Sequence, residues 1–313
     1  LDDGYRAGSV HPGTVIVPAL LAASATGRFD GKQWLTATVV GYEAVCRLAG
    51  AMHPASRHKG FHNTSVMGVM GAALAVGSQI GLDEERMAHA LGLAGSSAGG
   101  IFAFLRGGGE VKRTHPGHAA REGLQCAFSA KHGLEGPDRV LEIEEGFFET
   151  YSENVDEAAV VAGLLDGDLV MSRCYIKPYA ACRHLHPGID AVLDILTTDK
   201  VKPDDVERVE VGSYAIATSH GAAKFDDMLS AQMSYPFALA TALERKAVNL
   251  NHFDEKSRSE EAILRHIPKI SIATDSDCEN DYPRLRPAKV TVHTSDGQTY
   301  RRRVDDPYGS ADN

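Results

Sequence analysis

In the first half of the chain, apolar side chains recur at close to helical spacing. Within residues 32–52, Leu35, Val39, Val40, Ala44 and Leu48 mark one face of a helix that ends before His53-Pro54. Residues 64–80 are apolar nearly all round but rich in small side chains, among them Gly68, Gly71, Ala72, Ala75 and Gly77. That pattern predicts a buried central helix with neighbouring backbones packed close. Asp83 reads as the N-cap of another helix, with Glu84 and Glu85 in the first turn where the helix dipole favours acids. Further helices are predicted over 115–132 and 155–165, and no convincing strand precedes residue 167.

Beyond Gly167 the period changes. Strands are predicted over 173–176 and over 206–214, where Val206, Val209 and Val211 stand among charges. Helices come next over 188–197, 231–243 and 257–266, then a strand over 270–273. A hairpin pairs 288–294 with 299–304 through Ser295-Asp296-Gly297, where Asp-Gly is a strong turn signal. The fold class read from this is mainly α with a second α+β domain. Residues 1–170 form a large all-helical domain and 171–304 a smaller α+β domain. Residues 305–313 begin a return segment, loop-like in sequence, that closes nothing.

The 313 residues leave room for two domains, and 32 Lys+Arg against 42 Asp+Glu give a net charge of −10. That balance argues against nucleic acid or an anionic membrane as partner, since both need a basic footprint. The longest apolar-leaning run, residues 66–80, falls short of the roughly 20 residues that span a bilayer. Five scattered cysteines do not make a disulfide framework, and a reducing cytoplasm is the expected location. The chain does not begin with Met, so its N-terminus is expected to lie upstream.

Against this acidic background, Lys177-Pro-Tyr-Ala-Ala-Cys-Arg-His-Leu-His-Pro187 gathers cations and titratable groups, as a site that holds a small anion and moves a proton on it would need. Cys182 is a proton donor there if Lys177 or Arg183 stabilises its thiolate; otherwise it is a small buried hydrophobe. His184 and His186, alternating along an extended chain, point opposite ways and do not chelate one metal; no HExxH pattern or carboxylate cluster supplies another metal site, so none is expected. Four other segments are polar between helices. Asp2-Asp3-Gly4 through His11-Pro12-Gly13 puts acidic residues and a histidine just before a helix, and taken alone reads first as capping and turn formation. In Lys59-Gly-Phe-His62-Asn-Thr64 the histidine stands at a helix start, where free N–H groups attract anions and the dipole keeps an imidazole neutral, as a base must be. The glycines 107–109 precede Lys112, Arg113, His115 and His118 without Walker spacing, which predicts a mobile cationic lip closing over a carboxylate, or a plain exposed basic loop. Ala231-Gln-Met-Ser-Tyr-Pro-Phe237 opens a helix with Tyr235 available to hydrogen-bond.

Taken in order, Asp2-Asp3 with His11-Pro12-Gly13, Gly60-Phe61-His62, Lys112-Arg113-Thr114-His115-Pro116-Gly117-His118-Ala119-Ala120, Gly146-Phe147, Lys177-Pro178-Tyr179 through His186-Pro187, and Ser234-Tyr235-Pro236-Phe237 resemble the MmgE/PrpD family over essentially the whole chain. Activities in that family include dehydration of 2-methylcitrate, decarboxylation of cis-aconitate and epimerisation of iminodisuccinate. The resemblance implies a homodimer of protomers that pair a helical domain with an α+β lid, the active site lying between them. It further implies small polycarboxylate substrates and no metal or organic cofactor. The family's active-site histidines fall on His11 and His62, and its lysines on Lys112 and Lys177. Two positions depart from the decarboxylase branch: Cys182 stands for a histidine and Phe237 for a tyrosine. These departures weigh toward dehydration or epimerisation. The family's helices before the first segment and after the last are missing, so the chain reads as a piece truncated at both ends, with an active-site acid expected upstream.

The expected function is therefore that of a cofactor-independent hydro-lyase acting on a hydroxylated di- or tricarboxylate. Lys112, Lys177 and Arg183, helped by Arg113 and His115, bind carboxylates and stabilise enolate-like charge; His62 removes the alpha proton; Cys182, His11 or a lysine supplies the acid. His62, Lys112, Lys177 and Arg183 are expected to converge on one cleft. Epimerisation of an amino- or imino-dicarboxylate needs the same proton removal, and a non-catalytic binding protein is the alternative outside enzymes.

Overall fold

The computed structural model describes residues 2–104, 110–221 and 225–313. The glycines 107–109, expected to start a cationic lip, lie outside the described residues. The chain folds as two compact units, 2–176 and 177–313.

In the first unit the helices are α1 (Gly13–Ser24), α2 (Gly31–Met52), α3 (Asn63–Gln79), α4 (Glu84–Ser97) and α5 (Val111–Lys131). Asp30 starts α2 with a capping box: its carboxylate accepts from Gln33 N at 2.7 Å, and the Gln33 side chain accepts from Asp30 N at 2.9 Å. Asp83 caps α4 by accepting from Arg86 N. Helix α3 is the hub, packed against α1, α2, α4 and α5, which is why its sequence is apolar all round. The small residues set how close the neighbours come. A Cβ on Gly123 of α5 would lie 2.4 Å from Ala72 Cβ, 2.6 Å from Val69 O and 2.7 Å from Ala73 N. Two of those obstacles are backbone and none can rotate away. Gly123→Ala is therefore expected to destabilise this unit by about 1–3 kcal/mol despite alanine's better helix propensity. Thermal unfolding checks it, and a raised Tm would mean α5 can slide outward without loss. The lone tryptophan, Trp34 of α2, packs half-buried against this same core.

The helix expected over 155–165 is only one turn, Glu157–Val161, because Gly163 (φ 67°) and Gly167 (φ 78°) turn the chain. Residues 162–171 are strapped to α2 by the buried pair Glu43–Arg47 (2.7 Å). Arg47 donates to Ala162 O at 2.6 Å and Asp168 O at 2.7 Å, while Glu43 accepts from Met171 N at 2.8 Å. The strand expected over 173–176 shortens to β2 (Tyr175–Ile176), antiparallel to a two-residue β1 (Asp3–Gly4), so it belongs to the helical unit. A pair that short shows no period-2 pattern to read.

In the second unit β3 (Val206–Ser213), β4 (Ile270–Thr274), β5 (Ala288–Thr294) and β6 (Thr299–Val304) form a sheet in the order β4-β3-β5-β6. β3 and β4 are parallel and the other pairs antiparallel. Gly297 (φ 80°) makes the β5–β6 turn, and Asp296 Oδ1 accepts from Thr294 Oγ1 and Gln298 N. Helices α6 (His186–Thr198) and α7 (Tyr235–Arg245) pack on the sheet, joining Ile189, Val192 and Ile195 to Val209, Val211, Val290 and Val292 in one core. Helix α7 starts at Tyr235 rather than at 231 because Ser234 caps it, accepting from Phe237 N at 3.2 Å. The helix expected over 257–266 breaks into Glu255–Arg258 and Glu261–Leu264, since Glu260 is extended. Among the described residues no helix is long and apolar enough to cross a membrane.

Candidate functional site

In the helical unit, His62 is the residue before α3 and is held by backbone on both sides. Its N–H donates to Gly100 O at 3.0 Å, its carbonyl accepts from Ser65 N and Val66 N, and Phe102 N donates to Gly60 O at 2.8 Å. The ring lies edge-on to Phe102 and Phe104, at 4.9 and 5.4 Å between centroids. Its Nδ1 is 2.8 Å from Nδ1 of His115, which projects from the second turn of α5; both histidines are buried. Across that contact one nitrogen donates and the other accepts, so two neutral imidazoles must be opposite tautomers, one with a bare Nε2 and one with a protonated Nε2. Burial, then the positive charges of His115, His11, Lys112 and Arg57, push the His62 pKa down to about 3. Burial, more than the helix dipole expected from sequence, keeps this histidine neutral. Burial also lowers His115, with His118 adding to the effect.

His11 and Lys112 are near enough for their charges to act on His62. The His11 backbone N–H donates to Thr64 Oγ1 at 3.2 Å, and its Nδ1 lies 2.6 Å from Asp3 O. With Nδ1–H donating to that carbonyl, Nε2 is the basic atom. The Asp3 carboxylate accepts from Gly13 N and from the Tyr42 hydroxyl; burial holds its pKa above the usual value all the same. Lys112 sits one turn ahead of His115 on α5, so the two share a face. Arg113 does not join them: it pairs with Glu110 at 2.8 Å on an exposed surface. Sequence reasoning missed Arg57, whose guanidinium lies 3.6 Å over the Phe102 ring, and the aromatic pair itself. The alternation Phe102-Ala103-Phe104 was the available signal.

In the second unit, Lys177 through Pro187 is not an extended strand. Arg183–Leu185 form a 3-10 turn that runs into α6 at His186. His184 Nδ1 lies 2.7 Å from Tyr214 Oη and its ring stacks on His220 at 6.2 Å; His186, fully buried, lies 3.2 Å from Ala181 O through Nε2. The extended chain that would have pointed the two histidines opposite ways is replaced by this turn, and each takes its own partners. Arg183 is buried. Its terminal nitrogens donate to Tyr308 O (2.8 Å), Pro307 O (2.9 Å), Ser310 Oγ (2.7 Å) and His186 Nδ1 (3.0 Å). Asp190 accepts from Tyr179 Oη and from Tyr308 N on the same segment. The tail expected to close nothing is thus clasped against the start of α6, with Arg183 as the clasp.

Cys182 is half-buried, its N–H donating to Gln232 O at 2.9 Å. Burial alone would push its thiol up. A hydrogen bond and charge from His220, the His184 N–H and the charge of Lys177 together outweigh it and hold the thiol below its ordinary range. His220 was missed, and Ser219-His220-Gly221 offers no signal in sequence. Tyr235 is wholly buried: a Cβ on Gly188 would lie 2.2 Å from its oxygen, so it packs against the first turn of α6. Phe237 stacks on Phe225 at 5.2 Å inside the core. Among the described residues no three His, Cys, Asp or Glu side chains are placed to hold a metal ion.

Comparison with known proteins bears on both units. Residues 1–158 match the MmgE/PrpD N-terminal domain and residues 179–313 the MmgE/PrpD C-terminal domain. The cis-aconitate decarboxylase of Aspergillus terreus is 27% identical over 334 residues, covering 99% of this chain and 68% of that protein. A cis-aconitate decarboxylase-like protein of Aspergillus oryzae is 28% identical over 333 residues, with 99% and 68% covered. The human cis-aconitate decarboxylase is 27% identical over 320 residues, covering 96% of this chain and 64% of its own.

Proposed function

Because this chain belongs to the MmgE/PrpD family through both its N-terminal and its C-terminal domain, we propose that it is a cofactor-independent lyase acting on a small di- or tricarboxylate. The bond-breaking step begins with removal of a proton alpha to a carboxylate, and a hydroxyl then leaves as water. The observation that carries this reading is the buried His62–His115 pair with Lys112 one turn away. A neutral imidazole with a bare nitrogen accepts a proton, and its neighbour shares the resulting charge across the Nδ1–Nδ1 contact. An arriving polycarboxylate adds negative charge beside Lys112, His11 and Arg57, whose positive charge depresses His62, and so raises the low basicity of His62 toward a working value. Lys112 and Lys177 grip carboxylates. The Cys182 thiol, poised by His220, returns a proton to the leaving hydroxyl. Arg183, committed to the tail, is left out of this assignment.

Decarboxylation is the second reading, favoured by the names of the relatives at 27–28% identity. One experiment separates the readings: the purified protein is given hydroxylated and unsaturated polycarboxylates in deuterated buffer containing a chelator. Dehydration yields an unsaturated acid absorbing near the ultraviolet edge, decarboxylation releases carbon dioxide, and epimerisation only exchanges the alpha proton. None of these appearing would sink the enzyme reading, and activity lost to the chelator alone would sink its independence of metal. A homodimer is part of the same proposal and is read by sedimentation.

A further inference from the structure

Cys46 and Cys174 stand 128 positions apart in sequence, yet their sulfurs are 3.7 Å apart. Cys46 is fully buried in α2, while Cys174 is half-exposed. The backbone on each side of Cys174 is fixed to the helical unit. Before it, Glu43 and Arg47, neighbours of Cys46 on α2, hold Met171 N and Asp168 O. After it, Tyr175–Ile176 pair with Asp3–Gly4. The approach of the two sulfurs is thus set by a pinned scaffold.

We propose that Cys46 and Cys174 are a reversible dithiol–disulfide pair whose oxidant is a low-molecular-weight disulfide such as glutathione disulfide. The accessible Cys174 thiolate attacks the oxidant, forming a mixed disulfide and expelling one glutathione thiolate. Cys46 then attacks the Cys174 sulfur, its proton passing to the glutathione thiolate that leaves as the second glutathione. Two protein thiols lose two electrons and two protons, and one glutathione disulfide becomes two glutathiones. To bond, the sulfurs close from 3.7 Å to about 2.05 Å. Contact with Cys174 and burial hold the Cys46 thiol well above its ordinary range, which makes the second step slow and the bridge durable once formed. The pair borders Asp3, whose carbonyl and carboxylate hold His11 and Gly13, so the bridge fixes the base on which that histidine is mounted.

The test treats the native protein with excess glutathione disulfide, alkylates remaining thiols, and maps peptides without reduction. A cross-linked Cys46–Cys174 peptide is expected, together with a Tm raised by about 5 °C or more because the closed loop is long. Dithiothreitol should reverse both. Cys174→Ser and, separately, Cys46→Ser should abolish both, and Cys174→Ser, half-exposed, leaves the packing of α2 unchanged. Glutathione persisting on Cys174 with Cys46 still alkylatable would overturn the proposal. So would a cross-link that forms without any rise in Tm.

Discussion

His62→Gln is expected to lower kcat and kcat/KM together, by about 10²–10⁴. Glutamine preserves a hydrogen bond toward His115 but cannot take up a proton. The pH dependence has its origin in the burial of His62. With a pKa of about 3, His62 is neutral throughout the working range, so kcat/KM should show no acid limb near 6.5. Stability carries the complementary signature. Between 6.5 and about 3 the unfolded chain binds a proton at this position and the folded chain does not. The resulting stability is present above 6.5 and is lost as pH falls toward 3, with a limiting slope of about 1.4 kcal/mol per pH unit. Acid titration of unfolding checks this, and His62→Gln should flatten it. An acid limb near 6.5 in kcat/KM, kept in the variant, would assign the base to another group.

Arg183→Ala is expected to destabilise the second unit by about 3–5 kcal/mol, and Arg183→Lys by nearly as much. The guanidinium bridges four acceptors, and its loss takes a donor from the Tyr308 carbonyl and from His186 Nδ1, while Pro307 O keeps only its two bonds from Ser310. A lysine is a point charge and cannot fork across them. Thermal unfolding and amide exchange over residues 305–313 measure the effect. If the variant stays as stable as the parent and KM rises instead, Arg183 binds substrate, as the cationic character of its segment suggests.

The Arg183 case shows where the sequence was opaque. Its neighbours Cys182, His184 and His186 made the segment look like a site, and nothing local indicated that Pro307–Ser310 would return to satisfy the guanidinium. Long-range hydrogen bonding leaves no periodic trace. Helix α2 was legible because one-sided burial imposes its period, α3 because it is apolar all round, α4 because Asp83 and the acids after it mark its start, and the β5–β6 hairpin because Asp-Gly marks the turn. The segments from 155 to 176 were misread because a buried Glu43–Arg47 pair, not an apolar stripe, holds them. At the candidate site, His62, His115, Lys112 and His11 were found from polar residues at helix starts. His220 and Arg57 were not, since each owes its position to tertiary packing alone.

The lone tryptophan makes the protein optically lopsided. Trp34 packs on the core of the helical unit, while six of the ten tyrosines, Tyr179, Tyr214, Tyr235, Tyr282, Tyr300 and Tyr308, belong to the other. Fluorescence excited in the red edge of the absorption band therefore watches one half melt and is blind to the second. Near-ultraviolet dichroism of the tyrosines, above all the Tyr214–Tyr282 stack at 4.4 Å, is weighted the opposite way. Two melting curves taken on one sample thus tell whether the halves come apart together or in turn, with no label and no cut in the chain.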